Sequence, residues 1–323
     1  MNMSLGRTLS LATRGVANYF LKRPFCVSFE VTYSCNAHCK HCHLGGPVKD
    51  EIRATPEVFG LLSRRLKPVV AQVSGGEPLL RHDLEDIIKA IQRPQAAPYI
   101  VVTTNGALLT YQRYKSLRQA GVDEFSLSLD YPDERHDEFR GIPGLFNKIE
   151  RLMEALSSER DKAITLSCVV QSDNFRDLLK LATQARKWGV KMNYSTYTWL
   201  RTNDKNYLIP RENLGEFKEV INQLLNFKKE YGTIYTSAYV FNKMIEFFEK
   251  QSLPGCRAGE RFFVVNPDGG LSPCGLIIKR YKTPQEMKKH FKKINKCSFC
   301  YTSIRANSEK PANYLIKDSL NSL

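Results

Sequence analysis

Apolar residues recur at helical spacing over the first 25 positions. Leu5, Leu9, Ala12, Val16, Tyr19 and Phe20 fall on one face. The same stretch carries Arg7, Arg14, Lys22 and Arg23 and no acid, and Lys22-Arg23-Pro24 ends the pattern. Three readings suit such a segment. It is a helix packed on the domain, a basic amphipathic helix on anionic lipid, or a transit-peptide-like leader. From residue 27 the pattern changes to a β/α rhythm. Strand-like runs fall at 27–32, 69–73, 99–103, 124–129, 164–170 and 191–197. Helical patterns lie between them at about 56–67, 82–92, 109–119, 144–157 and 174–188. The first run alternates as an edge strand does, whereas Tyr99-Ile-Val-Val is continuously apolar, as in a buried parallel strand. Six such repeats predict an α/β fold of parallel strands with right-handed crossovers, as an open sheet or a partial barrel.

After residue 200 two long helical patterns follow, 211–231 and 237–251, and Pro254-Gly255 marks a boundary. A hairpin is predicted from 261–265, the turn Asn266-Pro-Asp-Gly-Gly270, and 271–273. A basic, helix-like stretch at 284–291 and a polar tail complete the chain. The expected organisation is a basic segment (1–25), a β/α core (26–200), a helical connection (201–252) and a smaller C-terminal domain (253–323).

Composition narrows the class. Of 323 residues, 42% are hydrophobic and 25% charged, which excludes a disordered chain. No apolar run reaches the roughly 18 residues of a membrane span. The net charge of 48 − 33 = +15 suits an anionic partner: nucleic acid, a membrane surface, or a substrate bearing phosphates or carboxylates. Solubility alone also accounts for it.

Nine cysteines are present, an odd number in a large chain, and no secretory signal precedes the first of their motifs. A disulfide scaffold is not expected; the cytoplasm is, with peripheral contact at the inner membrane face allowed by the N-terminal pattern. Seven of the nine form two groups, which read as metal ligands. Cys35-Asn-Ala-His-Cys39-Lys-His-Cys42 follows the first strand, where active sites of parallel β/α folds lie. Three thiolates on a [4Fe–4S] cube leave one iron open to a chelator. A zinc loop with His38, His41 or His43 as fourth ligand is the alternative, although zinc sites usually show paired C-x2-C units.

The triad and its neighbours resemble those of radical S-adenosylmethionine (SAM) enzymes, over about residues 25–200. His41 fills the aromatic slot of their C-x3-C-x-aromatic-C pattern, near the adenine. Ser74-Gly75-Gly76-Glu77-Pro78 resembles their GGEP motif. Thr104-Asn105-Gly106 and Ser126-Leu-Ser128-Leu-Asp130 follow at the ends of the third and fourth strands. The resemblance implies a TIM-like partial (β/α)6 barrel that binds SAM. Gly75 and Gly76 would let backbone approach the ligand. Glu77 would take the methionine ammonium, Asn105 would belong to the same wall, and Ser128 would reach the ribose. Arg140 is read either as a partner of the methionine carboxylate or as a surface salt bridge. Asn174 is read as a helix N-cap that also touches the nucleoside.

The second group is Cys256-x17-Cys274, then x22 and Cys297-x2-Cys300. Four thiolates suit zinc or a closed [4Fe–4S] cluster equally. The stretch from Cys256 to Cys274 resembles the opening of a SPASM/twitch domain, and four cysteines match the shorter twitch form with one auxiliary cluster. Cys26 and Cys168 are expected to be buried small hydrophobes.

The resemblance implies reductive cleavage of SAM to a 5′-deoxyadenosyl radical that abstracts a substrate hydrogen. An auxiliary [4Fe–4S] cluster would handle electrons, and an external one-electron reductant such as flavodoxin or ferredoxin would supply them. No general base is assigned. The expected substrate is anionic: a lipid, a tetrapyrrole, a nucleotide or another small molecule. A peptide-modifying maturase is the second reading. Only 34 residues precede Cys35, too few for a peptide-binding module, so a separate protein would supply it. A zinc-stabilised nucleic-acid-binding protein is a distant third, since it leaves Gly75-Gly76-Glu77 unexplained. A maturation factor that has lost catalysis is opposed by the intact triad, Glu77 and Ser128.

Overall fold

The computed structural model describes residues 4–92, 97–277, 279–311 and 314; most of the polar tail lies outside them. After helix α1 (Leu5–Phe20), six strands alternate with helices. They are β1 (Cys26–Thr32), α2 (Pro56–Leu66), β2 (Val70–Gly75), α3 (Leu84–Ile91), β3 (Tyr99–Thr104), α4 (Tyr111–Ala120) and β4 (Glu124–Ser128). Then come α5 (Arg135–Arg140), α6 (Leu145–Ala155), β5 (Ile164–Val170), α7 (Leu178–Lys187) and β6 (Lys191–Thr196). Helices α8 (Leu214–Tyr231) and α9 (Ala238–Lys250) lead to β7 (Phe262–Val265), β8 (Leu271–Ser272), α10 (Pro284–Met287) and α11 (Ser303–Ser308).

The first six strands are parallel and lie side by side in chain order. Neither β6 nor β8 pairs with the opposite edge, so the sheet is a partial barrel. Strand alternation divides its residues. Val27, Phe29, Val31, Ala71, Val73, Ile100, Val102, Phe125 and Leu127 are buried, and Phe29 meets Phe59 of α2 edge-on at 6.3 Å. Most of the intervening residues are polar, among them Ser28, Glu30, Gln72 and Ser126, and these line the site described below.

The structure differs from the sequence expectation at β1. It is not an edge strand: β7 pairs parallel with it from Cys26–Phe262 to Phe29–Val265, and β8 returns antiparallel to β7. The predicted hairpin therefore exists and extends the main sheet. Phe262–Val265 is buried throughout because both faces are covered. The helix expected from 174 begins with a 3-10 turn, Phe175–Asp177, before α7. Short, polar α5 carries too few apolar positions to show a period, and the sequence pattern missed it.

The N-terminal helix forms, but its apolar stripe does not close the barrel base. It docks through its polar side. Arg7 pairs with Asp123, with one contact at 2.6 Å, and donates to the Pro98 carbonyl. Arg14 donates to the Ala97 carbonyl, and buried Asn18 to those of Pro24 and Lys67. Leu5, Leu9, Val16 and Phe20 are 75%, 57%, 59% and 74% exposed. Among the described residues, no helix is long and apolar enough to cross a membrane.

Candidate active site

A cavity of about 340 Å3 opens at the carboxyl ends of the strands. Its floor is a layer of paired short polar side chains. The Ser28 and Ser74 hydroxyls lie 2.7 Å apart, Gln72 donates to Thr103 at 2.9 Å, and Ser126 and Ser167 lie 2.8 Å apart. Their small volume leaves room for a ligand, and their mutual bonds remove the cost of burying them unpaired.

The loop after β1 carries Cys35, Cys39 and Cys42, and all three line this cavity. The loop is anchored at both ends. Cys35 N–H donates to Gly46 O, while Gly76 and Glu77 N–H donate to Thr32 O and Ser34 O. A Cβ at Gly75, where φ is +132°, would lie 2.0 Å from Thr32 O, and one at Gly76 would lie 2.2 Å from Ser34 O. The close approach that these glycines allow is thus to the cysteine loop's own backbone, not only to a ligand. Residues His38 and Lys40 donate backbone bonds to Arg140 O and Phe139 O at the end of α5.

Burial pushes the Cys35 thiol up to about 11. Burial also raises that of Cys39, against the pull of Arg140. The Arg140 Nη1 stands 3.7 Å from Cys39 Sγ, and Arg201 Nη1 stands 3.9 Å from Cys42 Sγ. Guanidinium charge is therefore set beside two of the three sulfurs, where thiolates would need it.

Of the residues expected to bind SAM, His41, Gly75, Gly76, Asn105, Ser128 and Arg140 line the cavity. The His41 ring stacks on Phe139, centroids 4.9 Å apart and planes 15° apart. Its Nδ1 is buried without a partner, and burial and Arg140 hold the imidazole neutral. Asn105 donates to Asn36 of the cysteine loop at 2.8 Å.

Glu77 and Asn174 stand behind the wall. Glu77 is 1% exposed, and its carboxylate accepts from Thr104 Oγ1, Asn105 N–H and Leu79 N–H, tying the end of β2 to that of β3. Burial outweighs these donors and lifts its carboxyl to about 7. The Asn174 side chain does not cap the following turn. Its amide donates to Asp130 O and Val169 O, joining the segment after β4 to β5. Arg140 is not a surface pair either. It is 7% exposed and donates from Nε and Nη2 to fully buried Asp130, at 2.7 and 2.5 Å.

Cys256, Cys274, Cys297 and Cys300 line the same cavity. A hydrogen bond from the Cys256 thiol pushes Cys297 down, whereas burial raises Cys274 to about 12. Arg305, 1% exposed, holds this region together. It donates to Cys300 O at 2.6 Å, to Leu253 O at 2.8 Å and to Pro254 O, and pairs with Glu309. The described cysteines are all free thiols; Cys168 is buried as expected, beside Asn174, whereas Cys26, expected to be buried, is only partly so.

Two further cavity residues were not singled out from the sequence, Glu30 and Arg201. Glu30 is the one carboxylate on the wall among the described residues. Burial raises its pKa, against Arg201 and a hydrogen bond from Tyr33. The signal was present: with Val27, Phe29 and Val31 facing the helices, an acid in the opposite phase points into the barrel.

The donor set of the first cysteine loop suits an iron–sulfur cluster. Among the described residues no three His, Cys, Asp or Glu side chains converge as they would on a single ion. Three thiols on a loop at the strand ends, with flanking cations and an orphaned imidazole nitrogen, suit a four-iron cluster and an adjacent nucleoside better than a mononuclear zinc.

Comparison with known proteins agrees with this chemistry. Residues 29–185, a little under half of the chain, match the Radical SAM superfamily model. An AdoMet-dependent heme synthase of Oleidesulfovibrio alaskensis is 28% identical over 279 residues, covering 78% of this chain and 69% of the relative. The antilisterial bacteriocin subtilosin biosynthesis protein AlbA of Bacillus subtilis is 20% identical over 314 residues, 91% of this chain and 64% of that protein. The crystal structure of Streptococcus suis SuiB bound to S-adenosylmethionine shares the fold, with a TM-score of 0.63 at 16% identity, covering 88% of this chain and 70% of that one.

Proposed function

We propose that this radical SAM enzyme uses two four-iron clusters facing one cavity. The first would be held by Cys35, Cys39 and Cys42, the second by Cys256, Cys274, Cys297 and Cys300. The observation that carries the reading is that all seven thiols line a single cavity at the strand ends. When bound and reduced, the first cluster and SAM supply a 5′-deoxyadenosyl radical that takes a hydrogen atom from substrate. Electrons come from an external one-electron donor.

The chain's own residues orient and enclose. His41, flat on Phe139 and uncharged, offers a face and a free nitrogen for the adenine. Ser128 and Asn105 present hydrogen-bonding groups for the ribose and the methionine end. Arg140, fixed by Asp130, holds charge at the Cys39 sulfur and would meet the methionine carboxylate. Glu77 keeps the loops after β2 and β3 in register. Glu30 is the group we assign to the substrate side, as the one carboxylate on the cavity wall among the described residues.

The substrate we infer is a small anion, met by Arg201 and the chain's +15 charge. A tetrapyrrole carboxylate is one such anion, and the heme synthase resemblance supports that class. The resemblance to AlbA over 91% of the chain supports a peptide as the second reading. The test is anaerobic incubation of reconstituted protein with dithionite and SAM. Methionine and 5′-deoxyadenosine are expected in equal amounts, and none from Cys35→Ala. Deoxyadenosine formation raised by porphyrin carboxylates but not by peptides would select the first reading. The reverse result would select the second, and no SAM cleavage by the wild type would refute both.

A further inference from the structure

Helix α1 is amphipathic in the inverted sense. Its polar side is fixed to the barrel base by Arg7 with Asp123, Arg14 with Ala97 O, and buried Asn18. A surface helix ordinarily turns its apolar stripe to the core. Here Leu5, Leu9, Val16 and Phe20, each more than half exposed, face away from it, and the flanking Leu21 is 56% exposed. The docking bonds leave the helix no freedom to roll this stripe inward without breaking the ion pair at Asp123, which is 5% exposed.

A collar of cations surrounds the end of this stripe. Exposed Lys22 and Arg23 follow the helix, and Lys288 Nζ donates to Lys22 O at 2.9 Å, bringing the π-helical turn Lys288–Lys292 alongside. Burial and then the charges of Arg23 and Lys22 depress the Lys288 pKa, so these cations crowd one another. Lys292 has one counter-ion, Glu260. Ile294, 69% exposed, follows on the same segment.

We propose that this face seats the barrel base on an anionic lipid bilayer. An exposed apolar helical stripe rimmed by lysine and arginine matches lipid acyl chains beneath anionic headgroups. Protein interfaces, by contrast, are depleted in lysine. The docking residues Ala97, Asp123 and Lys67 precede their strands, whereas the Cys35–Cys42 loop follows β1. The docked side of α1 and the loop of the first three cysteines are therefore at opposite ends of the barrel. The helix is an anchor, and it leaves the cavity open to substrate from the aqueous side. This inference is independent of the substrate class proposed above.

The experiment is sedimentation of full-length protein with phosphatidylcholine vesicles, with and without phosphatidylglycerol, at low salt. Wild type should pellet with the anionic vesicles. Leu9→Glu/Val16→Glu should lower the bound fraction about tenfold, with unchanged circular dichroism, since both side chains are exposed. Lys22→Ala/Arg23→Ala should weaken binding to anionic vesicles about fivefold for each charge removed, leaving binding to neutral vesicles alone. Failure of the wild type to pellet, or equal pelleting by the Leu9→Glu/Val16→Glu variant, overturns the proposal. So does a wild-type dimer that ignores vesicles and becomes monomeric in that variant, because the stripe would then join two copies of this chain.

Discussion

Glu30 Oε1 occupies the space that a side chain at Gly275 would enter: a Cβ there would meet it at 2.7 Å. Gly275 follows Cys274, so the carboxylate on the cavity wall is packed directly against the backbone of the second cysteine group. The sequence separates these residues by 245 positions (275 − 30), and the pairing of β7 with β1 brings them together.

Gly275→Ala should push the flexible end of Glu30 aside and lower stability by about 1 kcal/mol, the low end of overpacking effects. Glu30→Ala should recover part of that loss, giving a coupling of at least about 0.5 kcal/mol in a double-mutant cycle. Urea unfolding of the four proteins measures it. Strictly additive effects would mean that the two residues do not touch.

Arg140→Met leaves the Asp130 carboxylate buried without its partner and should cost about 3–5 kcal/mol. Arg140→Lys should not restore the loss fully, because Nε and Nη2 both reach Asp130 and Nη1 reaches Cys39. Pairing Arg140→Met with Asp130→Asn should return most of the stability. Chemical denaturation of the apoprotein reads all three.

Glu77 gives a pH-dependent signature. Its carboxyl is raised from 4.5 to about 7. The folded state thus favours the protonated form, and the penalty is absent below the unfolded value of 4.5 and complete above 7. Wild-type apoprotein should therefore lose stability relative to Glu77→Gln as pH rises across that window, by up to about 3 kcal/mol. Thermal unfolding at several pH values tests this, and a difference between the two proteins that does not vary with pH would contradict it.

Arg305→Met removes the donor to Cys300 O, Leu253 O and Pro254 O. It should loosen the second cysteine group and leave the first intact. After reconstitution the variant should hold about half the iron of the wild type while still cleaving SAM. Full iron content would show that Arg305 does not support the second site.

Much of this was legible in the sequence. The triad's spacing marks a ligand loop because three thiols within eight residues have few other uses, and short apolar runs, alternating in the first and continuous in later ones, mark the six barrel strands. What escaped was tertiary. Nothing in residues 262–265 states that they pair with β1 more than 230 positions earlier. A helical period identifies the stripe of α1 but not which side docks, since that is decided by Asp123 and the strand-start carbonyls far along the chain. For Glu77, the motif identified an important carboxylate, but its bonds to Thr104, Asn105 and Leu79 follow from the arrangement of strand ends. Arg140 and Asn174 were likewise recognisable as polar residues at the right face, while their buried partners were not.

Two four-iron clusters, held by seven cysteines around one cavity, are what we propose. Iron and acid-labile sulfide per chain, determined after anaerobic reconstitution, test this most directly. The account predicts about eight of each in the wild type, about four when Cys35, Cys39 and Cys42 are changed together to Ala, and about four when Cys256 and Cys274 are changed instead. One zinc per chain, or only four iron in the fully reconstituted wild type, would contradict it.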